Sequence, residues 1–221
     1  LYQTEGADSL AYLKKRGLRD GVIRKFGLGA APNSYDRLTR HLLERGYTLE
    51  ELILAGLSVK KEAEAATADH PSRPERVRDM FRNRAMFPII DAYGNVLAFG
   101  GRSLGDAQPK YLNTSDTPVF NKRRGVFAAN LLRKERHLDR VILVEGYMDV
   151  ISMHQNGFTE AVASLGTSFT EGQAALIKRY AGEVLLAYDS DEAGTKAALR
   201  NAAICKKAGL KCRIIRMEPC K

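Results

Sequence analysis

Val141-Ile142-Leu143-Val144 runs straight into Glu145-Gly146-Tyr147-Met148-Asp149. Four branched apolar residues with no polar interruption suit a strand covered on both faces, as the strands of parallel sheets are. The acid that follows then stands at the carboxyl edge of the sheet, where open α/β folds hold their ligands. Tyr188-Asp189-Ser190-Asp191 repeats the pattern at the end of the expected strand 183–188. Two strands ending this way can bring Glu145, Asp189 and Asp191 into one cleft. Carboxylate oxygens are the hard donors that Mg²⁺ prefers, and that ion needs only one or two of them beside substrate phosphates. A lone acid after a strand is commonly a helix cap or a turn residue. Asp-x-Asp followed by Glu192-Ala193-Gly194 and a helical Lys196-Ala197-Ala198-Leu199-Arg200 is a more specific pattern.

Outward from this stretch the alternation is regular. It predicts strand 141–144, helix 147–156, strand 161–164, the turn Leu165-Gly166-Thr167, helix 170–180, strand 183–188, helix 192–208 and strand 212–216. Strands separated by helices at this spacing form a parallel sheet with helices on its faces. Upstream, short helices dominate. Ala7 to Gly17 carries Leu10 and Leu13 on one face, Arg19 to Phe26 gives another helix, and Gly27 to Ala30 is extended. Tyr35 to Arg45 is helical up to Gly46, and Thr48-Leu49-Glu50-Glu51 opens a helix that Gly56 stops. Ser58 to Glu75 is polar, contains Pro71 and Pro74, and reads as a mobile surface excursion. Met86 to Asp91 and Val96 to Phe99 flank Ala92-Tyr93-Gly94-Asn95 as a hairpin. Phe99-Gly100-Gly101-Arg102, Pro109 to Asn113 and Val119 to Gly125 follow as loops and short elements. The expected fold class is α/β: an α+β segment over 1–137, then a parallel-sheet segment over 138–221.

The chain has 221 residues and a net charge of +9. That length fits one large domain or two small ones. Residues 1–137 hold 24 Lys/Arg against 16 Asp/Glu, whereas 138–221 hold 11 against 10. The basic surplus therefore lies outside the acid-bearing sheet. A basic segment joined to a carboxylate cluster suits a polyanionic substrate on which the cluster acts. Cys205, Cys212 and Cys220 form no C-x-x-C pair, and the four histidines have no metal-ligand spacing. Neither a disulfide framework nor a zinc site is expected, and a reducing cytoplasmic setting fits. His154 reads as a packing or surface residue. With no membrane-length apolar run and no signal peptide, no membrane partner is expected. The chain starts at Leu1 without a methionine and stops at Lys221 in mid-pattern, as a piece of a longer protein would.

Val144-Glu145-Gly146-Tyr147-Met148-Asp149-Val150, Ser164-Leu165-Gly166-Thr167 and Asp189-Ser190-Asp191 with Ala193-Gly194 resemble a Toprim domain, the module shared by primases, topoisomerases and some nucleases. Tyr12-Leu13-Lys14-Lys15-Arg16-Gly17-Leu18, Phe87-Pro88-Ile89, Phe99-Gly100-Gly101-Arg102 and Pro109-Lys110-Tyr111-Leu112-Asn113 narrow the resemblance to the RNA polymerase core of bacterial DnaG-type primases, over nearly the whole chain. The resemblance implies a DNA-dependent RNA polymerase that makes short primers on single-stranded template. It implies Glu145, Asp189 and Asp191 as catalytic metal-binding acids with Asp149 in the same site, and two or more Mg²⁺ or Mn²⁺ ions. Arg102, Lys110, Tyr111, Asn113 and Lys122 would form a basic ridge that guides template and holds nucleotide, with Arg16 near the nucleic-acid path. Implied partners are single-stranded DNA, ribonucleoside triphosphates and the primer–template hybrid. Replicative helicase and zinc-binding module would be contacted only by the full-length protein. The family's third acidic motif, Asp-Pro-Asp, lies beyond Lys221, so the Toprim segment would be truncated at its C-terminal end. Another Toprim enzyme, a topoisomerase or nuclease, and a fragment that only binds nucleic acid are the competing readings.

The residue chemistry fits the ridge. Arg102 can fork to a phosphate, Lys110 and Lys122 supply point charges, and Tyr111 offers a ring for base stacking. Asn113 can hydrogen-bond a sugar or phosphate. Gly100-Gly101 would let a backbone approach a ligand closely.

Overall fold

The computed structural model describes residues 1–62, 76–135, 138–166 and 168–215. Helices α1 (Ala7–Lys15) and α2 (Asp20–Lys25) lead into a short strand, β1 (Gly29–Ala31), and then α3 (Arg37–Glu44) and α4 (Leu49–Leu54). Thr48 starts α4 as the sequence suggests. Its hydroxyl accepts from the Glu51 N–H while the Glu51 carboxylate accepts from the Thr48 N–H.

The polar stretch from Ser58 is not wholly an excursion. β2 (Ser58–Lys61) pairs antiparallel with β3 (Arg76–Asp79), Ser58 opposite Asp79. Both residues are buried. Asp79 accepts from the N–H groups of Leu38 and Thr39, each at 2.9 Å, and from the Thr39 hydroxyl, so it caps α3 from a distance. Ser58 meets the same Thr39 hydroxyl at 2.7 Å. Polar residues that look solvated in sequence are here consumed as internal caps. The rest of the expected excursion, 63–75, lies outside the described residues.

The hairpin also grows. β4 (Arg84–Ile90) and β5 (Val96–Ser103) are longer than the alternation suggests, and β6 (Tyr111–Asn113) is a strand rather than a loop. They build an antiparallel sheet in the order β1-β4-β5-β6. Gly100-Gly101 hides the continuation of β5 in sequence because glycine disfavours strands. In the fold, neighbouring side chains fill the space those glycines leave.

The second sheet is parallel, as expected. Its strands are β7 (Val141–Val144), β8 (Ala161–Ala163), β9 (Glu183–Leu186) and β10 (Lys211–Ile214), in the order β10-β9-β7-β8. Three helices alternate with them: α6 (Tyr147–Gln155), α7 (Glu171–Lys178) and α8 (Glu192–Lys207), after the single turn α5 (Ala129–Leu132). Ile142 and Val144 pack with α6 and with the N-terminal helices and antiparallel sheet in one core. Val141 and Leu143 pack with α7 and α8 in another. Burial on both faces is why the run 141–144 is apolar without alternation. His154 is a packing residue, edge-on to Phe26 at 5.0 Å and hydrogen-bonded to the Ala161 carbonyl.

Candidate active site at the carboxyl edge of the parallel sheet

The chain runs from β7 to β8 on one side and from β9 to β10 on the other. With β7 and β9 adjacent, their connections diverge, and α6 and α8 lie on opposite faces. This is the topological switch point, where an open crevice forms beyond the strand ends. Glu145 leaves β7 there and Asp189 follows β9. The Asp189 N–H donates to Glu145 Oε1 at 3.0 Å, so the two motifs meet. Asp191 caps α8, accepting from the Gly194 N–H at 2.7 Å. Asp149 reaches back from the first turn of α6 to the Gly146 N–H at 3.0 Å.

Glu145 feels the charges of the other three acids. Burial raises the Glu145 carboxyl above its ordinary value, the Asp189 N–H opposes the rise, and the charges of Asp189, Asp149 and Asp191 add to it. Asp149 is raised for the same leading reason, with Asp189 adding and the Gly146 N–H and Arg16 opposing. Both residues remain solvent-accessible, so these penalties are partial. Clustered carboxylates at raised pKa are stabilised by a cation, and an all-oxygen donor set fits a hard divalent ion. Among the described residues no three His, Cys, Asp or Glu side chains stand close enough to hold an ion by themselves. That is compatible with Mg²⁺, which draws much of its shell from water and phosphate.

The basic residues fall into two groups. Arg16 on the rim of α1 acts electrostatically on both Asp149 and Tyr111. Arg102 on β5 stands opposite Tyr111 on β6 and lies over the Tyr12 ring at 4.6 Å. Tyr111 is 39% exposed, open enough for its ring to be covered by a ligand. The Lys110 side chain is exposed just before β6. Lys122 belongs to the loop 121–125, which Gln173 on α7 holds by donating to the carbonyls of Lys122 and Gly125, both at 2.9 Å. A cleft lined by Lys122, Arg123 and Arg124 and another lined by Glu145 and Asp191 share Ser168 and Phe169 as walls.

Asn113 and the Gly100-Gly101 pair have internal partners. Asn113 does not point its amide at open solvent: Oδ1 accepts from the Tyr147 hydroxyl at 2.7 Å and Nδ2 donates to the Leu165 carbonyl at 3.2 Å. Gly100 and Gly101 admit protein rather than ligand. A Cβ on Gly100 would strike the Tyr147 ring at 2.6 Å, and one on Gly101 would meet Phe81 at 2.8 Å. The sequence alone assigns no site role to Tyr147, Arg200, Ser164, Ser168 and Asn201, although Ser164 and Arg200 fall inside the quoted stretches. The last four line the acidic cleft, and Asn201 Oδ1 is buried there without a hydrogen-bond partner. Arg200 and Asn201 sit two turns into a helix, with no local signal to mark them. Tyr147 lies inside the quoted motif, which assigns it no role of its own.

Residues 1–133 match the family model described as DNA primase catalytic core, N-terminal domain, and residues 142–221 match a Toprim-like model. The DNA primase of Clostridium acetobutylicum is 43% identical over 206 residues, which cover 93% of this chain and 33% of that protein. The chain thus spans about a third of the length of such relatives. A structure described as the DnaG primase catalytic domain bound to ssDNA superposes with a TM-score of 0.83 at 37% identity, covering 98% of this chain and 66% of that one. The RNA polymerase domain of Mycobacterium tuberculosis primase DnaG superposes with a TM-score of 0.80 at 33% identity, covering 98% and 70%. The crevice between β7 and β9 is therefore the Toprim edge of a primase core, and this chain belongs to the bacterial DnaG-type DNA primase family.

Proposed function

We propose that this chain serves as the catalytic core of a DNA-dependent RNA polymerase that synthesises short RNA primers on single-stranded template. One observation carries the reading. Glu145 and Asp189 are joined at the switch point, and the acid beside them, Asp149, shares its electrostatic surroundings with Arg16 and Tyr111 of the basic side. Template phosphates would run along Arg102, Lys110 and Lys122, with a base stacked on Tyr111. Ribonucleoside triphosphates and the growing hybrid would occupy the cleft between these cations and the acids.

Glu145, Asp149, Asp189 and Asp191 would hold the divalent ions, Mg²⁺ or Mn²⁺. When bound, such ions make a 3′-hydroxyl more acidic and offset charge on a departing pyrophosphate. The acids' own work is to present oxygens just beyond the ends of β7 and β9, where backbone N–H groups orient Glu145, Asp149 and Asp191. The ridge neutralises phosphate charge and aligns the nucleotide with the primer end. Contacts with a replicative helicase and a zinc-binding module would fall to other parts of the full-length protein, working in the bacterial cytoplasm. The relatives are named DNA primases, which favours this reading over a topoisomerase or nuclease.

Template-directed incorporation of labelled ribonucleotides by the full-length protein, with Mg²⁺ or Mn²⁺, tests it. Asp189→Ala or Glu145→Ala should reduce incorporation by about 100-fold or more while the fold is kept. Near-parental incorporation by either variant would remove that acid from the site. Metal-dependent cleavage of DNA without primer synthesis would transfer the chain to another Toprim activity.

A further inference from the structure

Phe87, Gly100 and Asn113 stand in register on three successive strands, β4, β5 and β6. Tyr147, the first residue of α6, lies along this row. Its ring stacks on Phe87 with centroids 5.2 Å apart and planes 11° apart, and it meets Phe127 edge-on at 4.7 Å. Gly100 makes the space, since any Cβ there would lie 2.6–2.8 Å from the phenol ring and its oxygen. At the end of the row the hydroxyl donates to Asn113 Oδ1, and Asn113 passes the link to the Leu165 carbonyl. Leu165 lies in the loop after β8, where Gly166 runs so close that a Cβ would meet Asn113 Nδ2 at 2.3 Å.

Packing alone does not require the hydroxyl. A phenylalanine would stack on Phe87 and Phe127 as well, yet the oxygen is aimed at Asn113, whose amide joins β6 to the loop after β8. Tyr147 is also two residues past Glu145 and two before Asp149. Its placement therefore sets the first turn of α6 and both acids of that motif. β6 carries Tyr111 on the basic side. We propose that Tyr147 is a positioning residue: through Asn113 and the Leu165 carbonyl, its hydroxyl sets the acidic edge of the parallel sheet against the basic strand β6. The inference rests on the reading of this edge as the catalytic site. Asn113 then contributes through Tyr147 as well as by any direct contact with substrate.

The test compares Tyr147→Phe, Asn113→Ala and the double variant with the parent, all in the full-length protein. Hydrogen exchange should quicken over residues 145–149 and 164–166 in Tyr147→Phe, with the remaining protection unchanged. Its kcat for ribonucleotide incorporation should fall about ten- to a hundredfold, with KM for nucleotide and Kd for single-stranded DNA within about twofold of the parent. The double variant should be no slower than Asn113→Ala, because both act on one linkage. Unchanged exchange in both segments, a Tyr147→Phe kcat within about twofold of the parent, or fully additive losses would each overturn the proposal. A parent that makes no primers would defeat the catalytic reading, while the exchange data would still judge the linkage.

Discussion

Gly194→Ala puts the geometry of the acidic edge to a quantitative test. Gly194 is buried in the first turn of α8 and donates its N–H to Asp191. A Cβ there would stand 2.2 Å from the Asp189 carbonyl oxygen and 3.0 Å from Glu145 Oε1. Close C···O contacts begin at about 3.3 Å, so the methyl overlaps the Asp189 backbone by about 1 Å. The obstacle is main chain, so either α8 or the acid-bearing turn must shift by a similar distance. Misplacement on the order of 1 Å costs about 100-fold in rate. Overpacking costs about 1–3 kcal/mol, and the better helix propensity of alanine returns up to about 1 kcal/mol. The net loss is about 0–3 kcal/mol, which at about 2–4 °C per kcal/mol for a chain of this size lowers Tm by up to about 12 °C. Thermal unfolding, Mn²⁺ titration calorimetry and single-nucleotide incorporation on the full-length protein measure the three consequences. A variant with a raised Tm, parental ion affinity and parental incorporation would refute the claim that Gly194 is glycine in order to seat Asp189 against Glu145.

Two further outcomes are expected. Glu145 and Asp149 are held above their ordinary carboxylate values. The native metal-free chain therefore keeps protons that the unfolded chain releases, and the stability this contributes is lost as pH rises from about 4 through the raised values. Glu145→Gln, which can still accept from the Asp189 N–H, should unfold at a slightly higher temperature than the parent at pH 7 without metal, and at the same temperature at pH 4. Calorimetry showing an equal difference at both pH values would sink this account. On the basic side, Lys110→Ala and Arg102→Ala should weaken single-stranded DNA binding and each flatten its salt dependence by roughly one unit or less. Tyr111→Ala should cost about 1–3 kcal/mol of binding with little change of slope; fluorescence anisotropy over a salt series separates the two, and parental binding by all three variants would leave the basic surplus as a solvated face.

The parallel sheet was legible because its strands are covered on both faces. Val141 to Val144 and Val184 to Leu186 are apolar at every position, and the acids after them place the strand ends to within two residues: β7 ends just before Glu145 as expected, whereas β9 ends at Leu186 rather than at Tyr188. The spacing of strands and helices then implied the sheet, and the sheet implied that its carboxyl edge is where ligands sit. Thr48 and Glu51 announced a helix start by a local rule that needs nothing from the rest of the fold. The antiparallel sheet was harder to read. Gly100-Gly101 looks like a break in β5, and only the Tyr147 ring and the Phe81 side chain explain why glycine is required inside a strand.

By itself, then, the sequence determined the elements whose reasons are local or periodic: the apolar strands, the capped helices, the acids at strand ends and the basic surplus before residue 138. The tertiary structure decided which of these meet. Adjacent pairing of β7 and β9 brings Glu145 to the Asp189 N–H from 44 residues away. Asn113, which reads as a free polar side chain, is spent on Tyr147 and Leu165, 34 and 52 residues distant. Ser58 reads as part of a solvated stretch and is buried against the Thr39 hydroxyl, beside the Asp79 carboxylate that caps α3. A hydrogen-bonding side chain carries no mark in sequence of which partner it will find, because that depends on strand order and packing rather than on its neighbours in the chain.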